Sequence, residues 1–356
     1  MTHQWLKFPA FVFNPSRLLA DDMGYRIDQK IIIVTRPTQM GELRKKFNTR
    51  AQAKFQIVTA AKRELVRQKP MPSAQLEEMA ESKFRSVDAA SEQYDNSVQQ
   101  LRQDLDFGDF DLPIQMIDRE FLPNFIFGPE DIVVTVGQDG LVANTAKYAI
   151  GLPIIAINPD PDRIDGVLLP FRTAQARDAV RGVLQKKARF REVTLAEATL
   201  ADGQKLLAFN ELFIGAKSHI SARYQLSIAG KTEPQSSSGL LVSTGAGSTG
   251  WLSSVFNMAA GVVAIQGKKS PASPLRLEWE DPRLVYVVRE PFTSKSSRAN
   301  LVAGILDADQ EITIESDMAA NGVIFSDGVE SDFLEFNAGA IARIRTAPGK
   351  ALLVVG

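Results

Sequence analysis

Asp139 stands between Gly137 and Gly140 in "TVGQDGLVAN", directly after the run Ile132-Val133-Val134. A strand leading through such a turn into a helix lets an anion approach backbone N–H groups, and it sets a carboxylate where a hydroxyl or a proton could meet it. The plainer reading is a tight turn, since Gly and Asp are ordinary turn residues. A second candidate is the polar pair Asn210-Glu211, preceded by "LLAF" and followed by "LFI". Burying that pair without partners is costly, so the strand ends, bends or runs along a solvated edge there. Neighbouring strand residues point to opposite faces, so one ligand meets both side chains only at an end or bend.

The stretch "STGAGSTGW" (243–251) sets glycines and small hydroxyls before a helix. It reads as a loop for an anion or a ribose, with Trp251 offering an aromatic face to a base. It reads equally as a Ser/Thr cap on the helix, with Trp251 in the core. "SDGVES" carries Asp327-Gly328, by itself a hairpin signal.

The rest of the composition narrows the chemistry. Cysteine is absent and the two histidines are His3 and His219. Disulfides, thiolate nucleophiles and cysteine-ligated metal centres are excluded, and a multi-histidine metal site has too few ligands. Any metal should be a hard ion held by oxygens, such as Mg²⁺. At the 137–140 turn neither GxGxxG nor GxxxxGK[ST] occurs. The net charge of -1 gives no global pull toward nucleic acid or an anionic membrane. Segment 44–69 holds nine basic residues and one acid, the pattern of a solvated helix face or of an arm for lipid, RNA or nucleotide. The acidic stretch "DLDFGDFD" is available to offset it.

These candidates need elements to position them. "KIIIVTRPT" (30–38) reads as a buried strand, and residues 39–105 as helix split in two pieces by Pro70 and Pro72. "DIVVTVGQDG" is a second strand, "LVANTAKYAI" (141–150) a short helix, and "LPIIAINPDPDRIDG" (152–166) a third strand running into a polar loop. Strand, helix, strand makes a parallel βαβ unit. Beyond about residue 190 short strands dominate, "GWLSSVFNMAAGVVAI" (250–265) is helical, and "EPQSSSG" (233–239) reads as a polar loop. With 356 residues, two domains are expected. Residues 1–175 form an α/β domain with a parallel Rossmann-like sheet and a helical insertion at 39–120. Residues 176–356 form a β-rich, β-sandwich-like domain whose last strands could return to the first. The start lacks a secretory or organellar leader and no stretch approaches a membrane span, so a cytoplasmic protein is expected.

Taken in order, Gly137-Gln138-Asp139-Gly140, Asn210-Glu211, "STGAGSTGW" and Asp327-Gly328 resemble the NAD kinase family. That family carries Gly-Gly-Asp-Gly after a strand, an Asn-Glu pair, a Thr/Gly/Ser loop and a late Asp-Gly. "INPDPDRIDG", "NELFIGAKSHISARYQLSIAG" and "SSSGLLVSTGAGSTGW" look most like its mitochondrial-type branch. The resemblance covers most of 30–356 and is weak over 39–120.

It implies transfer of the γ-phosphoryl of ATP, carried with Mg²⁺, to the 2′-hydroxyl of the adenosine ribose of NAD, giving NADP, in a homodimer. By that likeness Asp139 contacts the acceptor hydroxyl and Asp327 lies near the reaction centre. Gly137, Gln138, Gly140, Asn158 and Asp160 face the nucleotide and its phosphates. Asn210 and Glu211 hold the NAD ribose and nicotinamide side, while Thr244, Gly247, Ser248, Thr249 and Trp251 line the adenine and ribose pocket. A carboxylate is too weak a base to ionise an alcohol outright, so Asp139 is useful only with a loose transition state in which orientation dominates. Three positions depart from the family pattern: Gln138 for Gly, Leu141 for Thr, and Ser238 for an Asp. Diacylglycerol and sphingosine kinases share the glycine turn, making a lipid kinase the enzymatic alternative; a catalytically reduced NAD(P)-binding regulator is the other.

Overall fold

The computed structural model describes residues 29–106, 110–268 and 275–356. The N-terminal segment with His3, and positions 107–109 of the acidic stretch, lie outside them. The chain enters at β1 (Ile31–Thr35), whose apolar residues are fully buried. Three helices follow: α1 (Gln39–Phe47), α2 (Arg50–Gln68) and α3 (Ser73–Asp106). Thr38 caps α1, its hydroxyl accepting from the Gly41 N–H at 3.0 Å. Asn48, at φ 62°, ends it, and Thr49 caps α2 by accepting from Gln52 N–H at 3.2 Å. The helical segment therefore has three pieces, not two: an αL Asn and a capping Thr break it where no proline stands. The basic stretch is offset mainly by α3. Lys54 pairs with Glu81 at 2.9 Å, Lys62 with Glu77 and Arg50 with Asp88, a set of surface ion pairs along a helical hairpin.

Next come β2 (Ile114–Asp118), β3 (Ile132–Val136), α4 (Asp139–Ala146), β4 (Pro153–Asn158), β5 (Phe171–Arg172) and α5 (Ala176–Leu184). Strands β4, β3, β1 and β2 lie side by side and parallel, with Val133 opposite Ile154 and Ile31 opposite both Ile132 and Ile114. The C-terminal half of α3 and α5 cover one face, through Tyr94, Leu101, Leu105 and Val180. Helix α4 covers the other through Leu141 and Val142. Burial on both faces is why these strands read as unbroken apolar runs.

The remaining elements are β6 (Arg189–Leu200), β7 (Lys205–Ala208), β8 (Glu211–Ala216), β9 (Ala222–Ile228), β10 (Lys231–Ser237), β11 (Leu240–Ser243), α6 (Trp251–Ile265), β12 (Leu284–Val288), β13 (Ala303–Leu306), β14 (Ile312–Ser316), β15 (Gly322–Ser326), β16 (Val329–Glu335) and β17 (Ile341–Val355). An antiparallel sheet runs β13-β12-β11-β8-β15-β16. It faces a layer of β9, β14, β17 and β6 across a core built on Tyr224, Leu212, Ile314, Ile324 and Phe336. The long β17 pairs with β14 and β6 and then, parallel, with β4 at Leu352–Pro153, so one sheet runs through both halves of the molecule. Segment 233–239 is not a loop. It forms most of edge strand β10, with Glu233, Gln235 and Ser237 turned inward. Glu233 accepts from the amides of Asn300 (3.0 Å) and Leu301 (2.7 Å), and the edge position tolerates Pro234. Among the described residues no helix is long and apolar enough to cross a membrane.

Candidate functional site

The Asn210-Glu211 pair lies where β8 begins, between β11 and β15 in the middle of the antiparallel sheet, so the edge-strand alternative falls away. Asp327 holds the backbone of this corner from one side. Its carboxylate accepts from the N–H groups of Phe209 (3.0 Å), Asn210 (2.6 Å) and Glu211 (3.2 Å). The 243–251 loop holds it from the other. Thr244 Oγ1 donates to the carbonyls of Phe209 (2.6 Å) and Asn210 (3.1 Å). A Cβ on Gly247 would stand 2.1 Å from the Asn210 carbonyl oxygen, so only glycine fits. Ser248 is buried, its hydroxyl donating to Gly245 O at 2.7 Å, while Thr249 is exposed. Three motifs thus meet at one point, and Thr244, Gly247 and Asp327 all serve as its scaffold.

The side chain of Glu211 is different. Its carboxylate has no hydrogen-bond or ion-pair partner among the described residues, and Oε2 lies 3.9 Å from where a Cβ on Gly250 would be. Burial and the neighbouring Asp327 push its pKa up to about 7. A half-buried, unpartnered carboxylate facing a glycine loop is free to meet a group from outside the fold.

Asp139 opens α4 half-exposed, and its oxygens accept from the amides of Leu168 (2.9 Å) and Val167 (3.2 Å). Two of a carboxylate's roughly four acceptor positions are taken, leaving it able to meet a hydroxyl. Asn158 and Asp160 shape the loop that supplies those amides. Asn158 Nδ2 donates to Ile164 O at 2.8 Å, and its Oδ1 accepts from Asp160 N–H at 3.0 Å. Gln138 has extended backbone (φ -117°, ψ 166°) and an exposed side chain, so a glycine is not required there. Leu141 is buried beneath the turn. Gly140 has no positive φ, and a Cβ there would meet nothing within 4 Å. The protein itself gives no reason for that glycine.

No hydrogen bond or ion pair joins Asp139 to Asn210 or Glu211 among the described residues. The link runs along α4, about 12 Å long, to Lys147 just past its end. Lys147 is buried, donates to Ser326 Oγ at 2.9 Å and lies 3.7 Å from Asp332 Oδ2, which Tyr148 also engages. Burial pulls the Lys147 pKa down, while Asp327 and Asp332 hold it up. Burial likewise raises Asp327, against Lys147 and the three amides. Trp251, next to Gly250, is stacked on Phe213 with ring centroids 5.6 Å apart and 11° between planes. Both line a cavity of about 720 Å³ with Phe325, Phe333, Arg289 and Ser238; Arg289 sits 5.1 Å over the Trp251 ring. The cavity wall also carries exposed His219.

Against known structures, the yeast NADH kinase in complex with NADH superposes with a TM-score of 0.51 at 15% identity, over 93% of this chain and 84% of that one. The chain has the fold of this NADH kinase. An NAD kinase from Archaeoglobus fulgidus in complex with ATP superposes at 0.47 and 17% identity, over 72% of this chain and 88% of that one. No protein-family model matches the chain. No curated protein matches it either.

Within the NADH kinase fold, the sequence motifs occupy three places. Asn210, Glu211, Thr244, Gly247 and Asp327 form one cluster, Asp139 with Asn158 and Asp160 a second, and Trp251 the cavity. Lys147, Asp332, Phe213, Arg289 and Arg36 were not singled out by sequence reasoning. Lys147 carried a signal: a lone cation in "LVANTAKYAI", a short helix apolar on every side.

Proposed function

We propose that this chain is an NAD kinase-like phosphotransferase, moving the γ-phosphoryl of a nucleoside triphosphate to the 2′-hydroxyl of the adenosine ribose of NAD or NADH. The observation that carries the reading is the meeting of three sequence motifs at Asn210-Glu211, with the Glu211 carboxylate left unpartnered. In this reading Glu211 and Asn210 take the ribose of the acceptor, and the Phe213–Trp251 cavity takes a base by stacking. Asp139 accepts the hydrogen of the attacking hydroxyl while its other bonds to Val167 and Leu168 fix its orientation. The glycine turn lets phosphate oxygens approach backbone amides, and Gly140, which the fold does not need, is explained by that approach. Mg²⁺ comes with the triphosphate and neutralises its charge. The described residues contain no group of three His, Asp or Glu side chains that could hold it unaided. Orientation and charge neutralisation supply most of the rate in such a transfer.

A homodimer is part of the proposal. Helix α6 carries no charged residue, yet Met258, Val262 and Ile265 are 49%, 52% and 86% exposed. An isologous contact needs a self-complementary patch, and an uncharged apolar surface supplies one. The deciding experiment incubates the purified chain with Mg-ATP and NAD or NADH and follows the phosphorylated dinucleotide chromatographically. Product formation is expected. Tight dinucleotide binding with no product would leave a nucleotide-binding regulator instead.

A further inference from the structure

Arg36 leaves the end of β1 and comes to rest against the glycine turn. A Cβ on Gly137 would stand 3.4 Å from both its Cδ and its Nε. The guanidinium lies over the Tyr94 ring, 4.8 Å from the centroid, and Nη1 donates to Pro37 O at 3.2 Å. Its Nε is buried without a partner, and no carboxylate pairs with Arg36 among the described residues. Arg36 is half-buried, and a partly desolvated cation lacking an acid gains most from an anion that completes it.

The surroundings point the same way. Thr135 shares a sheet face with Gly137 by strand alternation. It is fully buried, and its hydroxyl has no partner. Gln138 offers no side-chain cap to the first turn of α4. Asp139 is turned toward Val167 and Leu168, and Asp118, opposite Thr35 across β1 and β2, accepts from Glu120 N–H and forms no ion pair with Arg36. A cation and uncapped amides therefore lie beside a turn at which Gly140 leaves room, with an orphaned hydroxyl buried in the strand that leads to it.

Tyr94 belongs to α3, in the helical arm. Its hydroxyl accepts from Arg36 N–H at 2.9 Å and donates to Val136 O at 3.0 Å, bridging the ends of β1 and β3 on either side of the turn. One helical turn on, Ser97 Oγ donates to Pro159 O at 3.1 Å, at the end of β4. A single face of α3 thus sets the spacing of three strand ends.

We infer that Arg36, braced by Tyr94, is the counter-cation of a phosphate chain bound at the 137–140 turn, which makes the helical arm a working part of the phosphoryl-donor site. The inference rests on the phosphotransferase reading for the identity of the ligand, but its test does not need turnover. Calorimetry on the full chain measures binding of inorganic tripolyphosphate and, separately, of ATP, for wild type, Arg36→Gln, Arg36→Lys and Tyr94→Phe. Losing a charged hydrogen-bond donor should weaken both ligands about 10- to 100-fold in Arg36→Gln. Arg36→Lys keeps the charge and should retain most of the affinity. Tyr94→Phe keeps the ring, loses the bridge, and should lose roughly 3-fold, a step of well under 1 kcal/mol. The salt dependence of tripolyphosphate binding should flatten in Arg36→Gln and persist in Arg36→Lys, which a purely structural role would not produce.

Wild-type affinity in Arg36→Gln overturns the inference, as does a wild type that binds no tripolyphosphate, or a loss confined to ATP. Where Arg36→Gln unfolds, the salt dependence in Arg36→Lys decides: a slope unlike wild type overturns it. Arg36-dependent tripolyphosphate binding without any phosphorylated dinucleotide would keep this inference and remove the function proposed above. Full turnover by Arg36→Gln would do the reverse.

Discussion

Two of the four motifs taken in order carry Asp-Gly, at 139–140 and 327–328, and the chain uses it in opposite ways. Asp327 and Gly328 have φ values of 53° and 69° and close the β15–β16 hairpin between paired Ser326 and Val329. Positive φ at both central residues is the two-residue hairpin turn for which Asp-Gly is favoured. Its carboxylate is taken up by three amides of its own chain. Asp139 and Gly140 start a helix, with no positive φ, an empty space beside the glycine and a half-exposed acid. The first turn is closed upon the protein, and the second is open to solvent. Identical letters separate only when the backbone dihedrals and the amide partners are known.

The largest effect expected from this contrast is on folding. Asp327→Ala strands three amides and leaves Lys147 with Asp332 alone, so it should destabilise by about 3–5 kcal/mol, read by urea unfolding. A loss below about 1 kcal/mol would mean the turn is not the clamp described. Asp139→Asn should do the reverse, leaving the urea midpoint nearly unchanged and cutting turnover at least ~100-fold. Undiminished turnover would make both Asp-Gly turns merely structural.

The glycines split the same way with smaller numbers. Gly328→Ala forces a side chain into positive φ and should cost about 1 kcal/mol. Gly140→Ala enters open space on a helix and should stabilise by about 0.5–1 kcal/mol, yet weaken nucleotide binding. A Gly140→Ala protein both more stable and fully active would show that nothing approaches that backbone.

How far the sequence disclosed this follows from what each pattern measures. The buried strands β1, β3 and β4 were legible because burial on both faces demands unbroken apolar runs. The presence of α4 and the course of α6 follow from glycine turns and composition, although α4 starts two residues before and stops four residues short of the expected 141–150. The break at Asn48-Thr49 has no proline to mark it and rests on a left-handed Asn and a capping Thr, which composition does not show. Strand β10 was misread because its inward residues are polar, and their partners Asn300 and Leu301 lie more than sixty positions away. The site motifs were found by order along the chain, but their division of labour was not. Whether Thr244 meets a ligand or its own backbone depends on a carbonyl 2.6 Å away from a residue 35 positions earlier. Arg36 was passed over as the tail of a strand, because only the fold sets it against Gly137.

A pH-dependent effect concerns the charge that the closed turn imposes on the open corner. Burial and Asp327 raise the Glu211 pKa to about 7, against about 4.3 in an unfolded chain. The folded state therefore holds the proton more tightly than the unfolded state. This contribution to stability is complete below about pH 4.3 and is lost as pH rises through about 7. Glu211→Gln removes it, so the variant should match wild type near pH 4 and gain on it steadily toward pH 8 in urea midpoints. Asp327→Asn removes the repelling charge, and Glu211 should then titrate lower, which NMR on its side-chain carboxyl would read. Parallel stability curves for wild type and Glu211→Gln, or a Glu211 titration indifferent to Asp327→Asn, would mean that the two turns do not communicate and that the unpartnered carboxylate is simply solvated.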